Sequence, residues 1–323
     1  MPKIQLLLLL FSLAMLFNAC DAPRNNPVDP GSDLGSLPLI KGSIRASGTS
    51  FTPVDGALVN FIPTGNYTTT DADGNFNLQV PLKKEGWLTI SKIGFKTDSI
   101  FISWGNGKFA EVRKELFKFP EAKSFSVTSS VIRRFPDLKF TSFKFFMELA
   151  DSYDGIDSVV VTNNAPAVSI PLDQGAGDQQ FIREIFSFQI PGQVSPNSLV
   201  GQEFMVNFYI GGEVYTSNRS GNVTRIIEEE IKFISPANNA IYYNPVSLSW
   251  HAFDPGFNHT YTAEILLDDI TPQTVWKKEG LPSGTTSVEV DVSLPAGSYI
   301  WVIYCVDQFG NTSRSKPASF VVR

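Results

Sequence analysis

From Leu37 onward the chain reads as short runs of alternating or β-branched residues, each closed within a few positions by Gly, Asp, Asn or Pro. A helix would need apolar residues three and four apart over several turns. A half-buried strand needs them at every second position over about four to eight residues. Leu39–Ala46, Ala57–Pro63, Phe76–Val80, Trp87–Ile93 and Lys96–Ile102 fit the second template, and Asp55-Gly56, Asp73-Gly74, Glu85-Gly86 and Gly94 punctuate them. Asp73-Gly74 and Asn106-Gly107 predict hairpins, because these residues accept the positive φ of a tight turn.

The same period continues downstream. Ser124–Arg133, Thr141–Ala150, Ser158–Val161, Phe181–Ile190, Glu203–Ile210 and Glu213–Thr216 are strand runs. Phe143, Phe145, Met147 and Leu149 fall on one face of theirs and predict a buried side. Asp173–Gln180 predicts an exposed loop. Beyond Glu230 come Val246–Phe253, Tyr261–Asp269, Thr286–Val292 and Leu294–Asp307, then a turn at Gly310–Ser313 and a closing strand. Gly221–Arg225 (GNVTR) echoes Gly310–Arg314 (GNTSR) at a spacing of one sandwich domain. This echo predicts a repeated plan in which a Gly-Asn turn opens the last strand.

Composition agrees with an all-β chain. Aromatic residues make up 12%, with 26 Phe, whereas charged residues make up only 18%, below the usual quarter or so. The net charge of −6 argues against a nucleic-acid partner, which requires a basic face. The basic pairs Lys83-Lys84, Arg133-Arg134 and Lys277-Lys278 read as solvated strand ends or turns. The expected architecture is three tandem β-sandwiches, at 37–119, 120–230 and 231–323.

Family resemblances attach to particular motifs. KGSI (Lys41–Ile44), PVDGALV (Pro53–Val59), TDADGNF (Thr70–Phe76) and LTISKIGF (Leu88–Phe95) resemble the carboxypeptidase regulatory-like domain. That resemblance implies a small transthyretin-like sandwich, common in secreted and outer-membrane proteins of Bacteroidota, and implies no peptidase activity. Trp250, the LxxGxY corner at Leu294–Tyr299 and the closing strand resemble a fibronectin type III domain. The middle stretch fits an immunoglobulin-like sandwich by length and strand count. In such a corner the Tyr hydroxyl returns to upstream backbone while its ring packs in the core.

Ahead of the strands, Lys3 precedes a mostly apolar run, and Gln5–Cys20 ends in Ala19-Cys20. The order is that of a secretory signal, with an apolar run too short for a permanent span. It resembles a bacterial lipoprotein signal, although Phe17 stands where Leu is usual. The resemblance implies cleavage after residue 19 and a lipid on Cys20. Residues 20–36 are then an anchor and tether, since 21–36 hold only Val28 and Leu34 as large aliphatic residues. The expected location is the cell envelope, as an outer-membrane lipoprotein. Cys305, the second of two Cys, sits in the apolar run Tyr299–Val306 and reads as a small buried hydrophobe.

Catalytic chemistry has few candidates. The two His, His251 and His259, read as surface residues, and no HExxH, CxxC, G-x-S-x-G or G-x-G-x-x-G pattern occurs. Asp71, Asp73 and Asn75 alternate like cation ligands. They lack the Gly and Glu positions of the EF-hand template and read as a turn held by Asp on backbone N–H groups. Asp268-Asp269 and Glu228–Glu230 read as solvated charges. Asp98-Ser99-Ile100 and Asp157-Ser158-Val159 resemble the short O-glycosylation acceptor pattern of Bacteroidota. Tyr67, in the loop before Thr70, and Trp104, beside the Gly105–Gly107 turn, are the candidate ligand-contact aromatics; the competing reading for Trp104 is packing across its own hairpin.

The expected function is therefore a non-enzymatic, membrane-anchored modular binding or spacer protein. The alternative is a glycan-binding accessory lipoprotein of a polysaccharide-uptake system, marked by two or three exposed aromatic rings on one face. The membrane, through the lipid, and an envelope protein or glycan are the expected partners; no cofactor, metal or nucleic acid is expected.

Overall fold

A computed structural model describes residues 37–47, 51–190, 192 and 195–323. The expected signal, Cys20 and the tether lie outside the described residues. The chain divides into two compact units, Met1–Phe119 and Pro120–Arg323, and among the described residues it is all-β.

The first unit holds β1 (Leu39–Ser47), β2 (Leu58–Phe61), β3 (Asn66–Thr69), β4 (Asn75–Gln79), β5 (Gly86–Ser91), β6 (Asp98–Ile102) and β7 (Phe109–Phe117). They form two sheets, ordered β4-β1-β7 and β3-β2-β5-β6. Alternate residues such as Ile40, Ile44, Phe61, Leu88, Ile90 and Val112 face one another in the core, the arrangement that period-2 strands require. Two motif glycines have a physical reason. A Cβ on Gly42 would lie 2.1 Å from the Val112 carbonyl oxygen, where β1 runs parallel to β7. Gly74 has φ +74, and its Cβ would meet the Ile44 oxygen at 2.5 Å.

The turn at Asp73-Gly74 is real, but β3 and β4 lie in different sheets, so it is no ladder hairpin. The same holds for Asn106-Gly107, because β6 pairs with β5 and β7 with β1. Strand β7 has no counterpart among the runs read from sequence. Its outward Glu111, Arg113 and Glu115 alternate with modest Ala110 and Val112, a composition that mimics a helix.

The second unit begins with β8 (Ala122–Arg134), β9 (Leu138–Leu149), β10 (Ser158–Asn164), β11 (Ala167–Gln174), β12 (Gln180–Phe186), β13 (Glu203–Ile210) and β14 (Glu213–Asn222). It continues with β15 (Phe233–Ser235), β16 (Ala240–Tyr242), β17 (Ser247–Trp250), β18 (His259–Leu267) and β19 (Thr274–Pro282). The last four are β20 (Ser287–Glu289), β21 (Gly297–Asp307), β22 (Thr312–Arg314) and β23 (Ala318–Val322). The predicted buried side of β9 is present, since Phe143, Phe145, Met147 and Leu149 are all buried. These side chains meet those of β10, β11 and β13 in one core, with Phe145 and Phe204 edge to face at 5.3 Å. A second core gathers Trp250, Tyr261, Trp276, Tyr299, Trp301 and Phe320.

The two cores share one sheet. Its strands run β14-β13-β10-β11-β12-β9-β8-β22-β21-β18-β19, with β23 on β21 and β16 on β23. The bridge between them is the parallel pairing of β22 with β8, Thr312 to Ser130 through Arg314 to Ile132. A small sheet, β15-β17-β20, covers the second core.

Three readings need correction. Asp173 and Gln174 belong to β11 and Gln180 to β12, so only the residues between them turn. Strand β11 went unread although Val168, Ile170 and Leu172 alternate inward along it; β19 buries only Trp276 and otherwise reads as polar edge. The echo also fails as a repeat: Gly221 and Asn222 end β14, paired with Phe204 and Glu203. Only Gly310, at φ +86, makes the expected turn.

Candidate functional site

Cys20 lies outside the described residues, so the geometry that can be built up belongs to the other candidates. Tyr67 is on strand β3, not in a loop, and its side chain is 71% exposed. It stands opposite Asn60 on β2, which stands opposite Thr89 on β5, which stands opposite Ser99 on β6. Directly paired residues project from the same side of a sheet. Tyr67, Asn60, Thr89 and Ser99 therefore form one row across the outward face. Two residues along β5 and β6, Trp87 and Phe101 form the next row. They are 52% and 49% exposed and meet edge to face at 5.4 Å. Leu58, Thr69 and Ser91 form a row on the opposite flank. At that end a shallow depression of about 530 Å³ is bordered by Gly56, Leu58, Ser91, Lys92 and Ile93.

Trp104 does not join this face. It is half-buried against the core, and its Nε1 donates to the Lys84 carbonyl at 2.7 Å. Its partner is the β4–β5 connection, not its own turn. Trp87 and Phe101 were not singled out from sequence. The signal was present: in Trp87–Ser91, Leu88 and Ile90 point inward, so Trp87 must point out.

The Asp71 loop closes on itself. Asp71 Oδ1 accepts from the backbone N–H groups of Asp73 (3.0 Å) and Asn75 (2.8 Å), the turn expected of an Asp in this position. Ser99 takes the Asp98 carboxylate at its backbone N–H (2.6 Å). Asp98 also pairs with Lys114 at 2.7 Å, which holds its carboxyl below the ordinary range against a smaller opposing effect of burial. Ser158 is exposed at the start of β10. Among the described residues no group of three His, Cys, Asp or Glu is placed to hold a metal ion, and no helix is long and apolar enough to cross a membrane.

The His reading is corrected for one residue. His251 is exposed, but His259 begins β18 half-buried among Phe253, Phe257 and Tyr261, with ring centroids 5.0 to 6.1 Å away. Its Nδ1 lies 3.0 Å from the Phe257 oxygen. Cys305 is fully buried, and burial, then the nearby Asp307 and Glu229, pushes its thiol up to about 12. Tyr299 makes the expected corner, donating from its hydroxyl to the Pro295 oxygen at 2.8 Å.

A dense polar cluster lies where the two cores of Pro120–Arg323 meet; Thr224, Arg225, Asn311 and Ser313 in it belong to the two echoing pentapeptides, though the echo did not say that they touch. The Asp307 carboxylate is fully buried and sits 3.2 Å from Arg225 Nε. It accepts from the N–H groups of Phe309 (2.9 Å) and Asn311 (2.8 Å) and from Asn311 Nδ2 (2.9 Å). Asn311 reaches both sides of the junction: its Nδ2 also donates to Thr224 Oγ1 (2.6 Å), and its Oδ1 accepts from the Ser129 N–H (2.8 Å). Arg225 lies over the Phe257 ring, 4.1 Å from its centroid.

Arg133, expected to be solvated, is only 6% exposed. It donates to Ser313 Oγ at 2.7 Å and to the Glu228 carbonyl. Burial lowers its affinity for the proton, while Glu230, Glu228 and Glu229 oppose that shift. The Glu228 and Glu229 carboxylates do stay exposed, as expected of solvated charges, yet their carbonyls are pinned by Arg133 and by Ser313 Oγ (3.0 Å). The result is a clamp on residues 224–230 between β8 and the β21–β22 turn.

No curated protein matches the chain. Among solved structures it is similar to the fibronectin(III)-like modules of CbhA from Clostridium thermocellum, at 12% identity and a TM-score of 0.30, over 63% of this chain and 93% of that one. It is also similar to BcpA, the major pilin subunit of Bacillus cereus, at 10% identity and a TM-score of 0.27, over 87% of this chain and 94% of that one. The first unit, with its close approach at Gly42 and its turn at Gly74, is similar to the CarboxypepD_reg-like domain, whose family model matches residues 40–118.

Proposed function

We propose that this chain is a non-enzymatic, lipid-tethered arm of the bacterial outer membrane that holds binding or spacing modules away from the lipid surface. In this reading Cys20 carries the lipid, residues 21–36 form the flexible tether, and the β-sandwiches form the arm. The observation that carries it is the junction in Pro120–Arg323. Sandwich modules in one chain commonly move against each other across modest interfaces. Here a backbone ladder from β8 to β22 and the buried Asp307–Asn311–Ser129 contacts oppose such bending. Stiffness over two modules suits a spacer, whereas catalysis would call for titratable groups converging in a cleft.

The anchor is tested by replacing Cys20→Ala in cells fed a radiolabelled fatty acid. The wild-type chain is expected to carry label and to sediment with membranes, and the variant to lose both. A variant that keeps the label and stays with the membranes removes the anchor from the proposal.

A further inference from the structure

The outward face of the β3-β2-β5-β6 sheet carries chemistry that a spacer does not need. Three aromatic side chains, Tyr67, Trp87 and Phe101, stand about half exposed or more. A line of uncharged hydrogen-bonding groups, Asn60, Thr89 and Ser99, continues from Tyr67 across the sheet. At an inter-strand spacing of about 4.8 Å, the Tyr67 strand and the Phe101 strand lie roughly 14 Å apart. Tyr67 thus stands at the β3 end of the polar row, and Trp87 and Phe101 flank its β5–β6 end. Trp87 and Phe101 meet at 77°, so they cannot both lie flat, and one ring braces the other.

We propose that this face binds a neutral, hydroxyl-rich glycan chain. No outward position on these four strands bears a charge, although the chain as a whole carries −6. A cationic partner would find no carboxylate on these outward positions, and an anionic one would find Lys92 alone, at the rim of the face. An uncharged ligand is the charge complement. Aromatic faces are electron-rich and attract the C–H-lined flat side of a sugar ring. Hydroxyl and carboxamide groups both donate and accept, as sugar hydroxyls do. A protein-docking patch would instead concentrate apolar area at its centre and place polar groups at its rim; here the polar row runs across the middle of the face, with Trp87 and Phe101 on one side and Leu58 on the other. The proposal adds a ligand to the arm and does not depend on the anchor at Cys20.

The test uses the full-length protein, purified in detergent. Its binding is measured to insoluble cellulose, xylan and starch, and to an array of neutral and anionic oligosaccharides. The expected result is binding to at least one neutral glycan that persists in 0.5 M NaCl, because screening acts on charge and not on stacking. Trp87→Ala and, separately, Tyr67→Ala should each weaken it about tenfold, the scale of one aromatic stacking contact. Both positions are exposed, and unchanged circular dichroism would show that each variant folds. Binding to no neutral glycan, preference for anionic ones, loss of binding in salt, or full binding by both folded variants would each overturn the proposal. So would recovery of a protein instead of a glycan as the occupant of the face.

Discussion

At the junction inside Pro120–Arg323, polar side chains are buried and paired with one another. On the outer face of the Met1–Phe119 unit, aromatic side chains are exposed, and only Trp87 and Phe101 touch each other. The first region reverses the usual rule that charge stays outside, and the second the rule that large rings stay inside. The reversals have different costs. Burying Asp307 and Arg133 is tolerable because each finds hydrogen-bond partners in the folded chain. Exposing Tyr67 forgoes apolar burial, and Trp87 recovers an edge-to-face contact with Phe101 in place of burial. One region is organised to hold the molecule together, and the other to meet something outside it.

The largest effect that separates the two regions is expected at Asp307. Asp307→Ala leaves the N–H groups of Phe309 and Asn311, and one proton of Asn311 Nδ2, without their acceptor. It also strips Arg225 of its ion-pair partner. Losing one member of a buried pair costs about 3–5 kcal/mol. Arg225 is partly exposed and recovers some hydration, which brings the expected loss toward about 3 kcal/mol. Urea denaturation of the variant and the wild type gives the difference directly. A loss below about 1 kcal/mol would mean that the clamp is a satisfied surface feature and not a structural lock.

How much of this was legible in the sequence follows the range of the interactions. The alternation of Phe143, Phe145, Met147 and Leu149, the Tyr299 corner and the Asp71 turn are local, and residues a few positions apart were enough to read them. Asn311 and Ser129 are 182 positions apart, and nothing near either residue says that they touch. Arg133 looked solvated because its neighbour Arg134 is, whereas strand parity points it toward Glu228 and Ser313. GNVTR and GNTSR looked like copies because five residues encode a turn only when their context does. Pairing with β13 keeps Gly221-Asn222 extended. Strands β7 and β19 escaped notice because edge strands carry charge on their outward positions, which erases the apolar alternation.

A middle-sized effect is expected in alkali at Cys305, beside the clamp. Its thiol is pushed up to about 12 in the fold, from an ordinary value of 9.0. The unfolded chain therefore releases that proton first. Between the two values the native state binds more protons than the unfolded state, so stability falls as pH rises and is undiminished below pH 9. Iodoacetamide at pH 8.5 should leave native Cys305 unmodified and alkylate it in denaturant, as read by mass spectrometry. Rapid native alkylation would show that the β21 strand opens readily, and the junction would then not be the tight region that the comparison requires.

The smallest effect is expected on the exposed face, and its smallness is informative. Tyr67→Ser removes a ring that is 71% exposed and should change stability by no more than about 0.5 kcal/mol. Trp87→Ser also gives up its edge-to-face contact with Phe101, for which about 0.5–1.5 kcal/mol is usual; the lower end applies because both rings are half in water. Thermal unfolding of the two variants measures this, and the Tyr67 variant should be nearly indistinguishable from wild type. If either cost more than about 2 kcal/mol, the rings would be part of the packing that stabilises the sandwich, and the contrast with Asp307 would collapse. If both costs are small, the sequence has kept two large rings where they contribute little to folding, and a role in contacting a ligand accounts for them where packing does not.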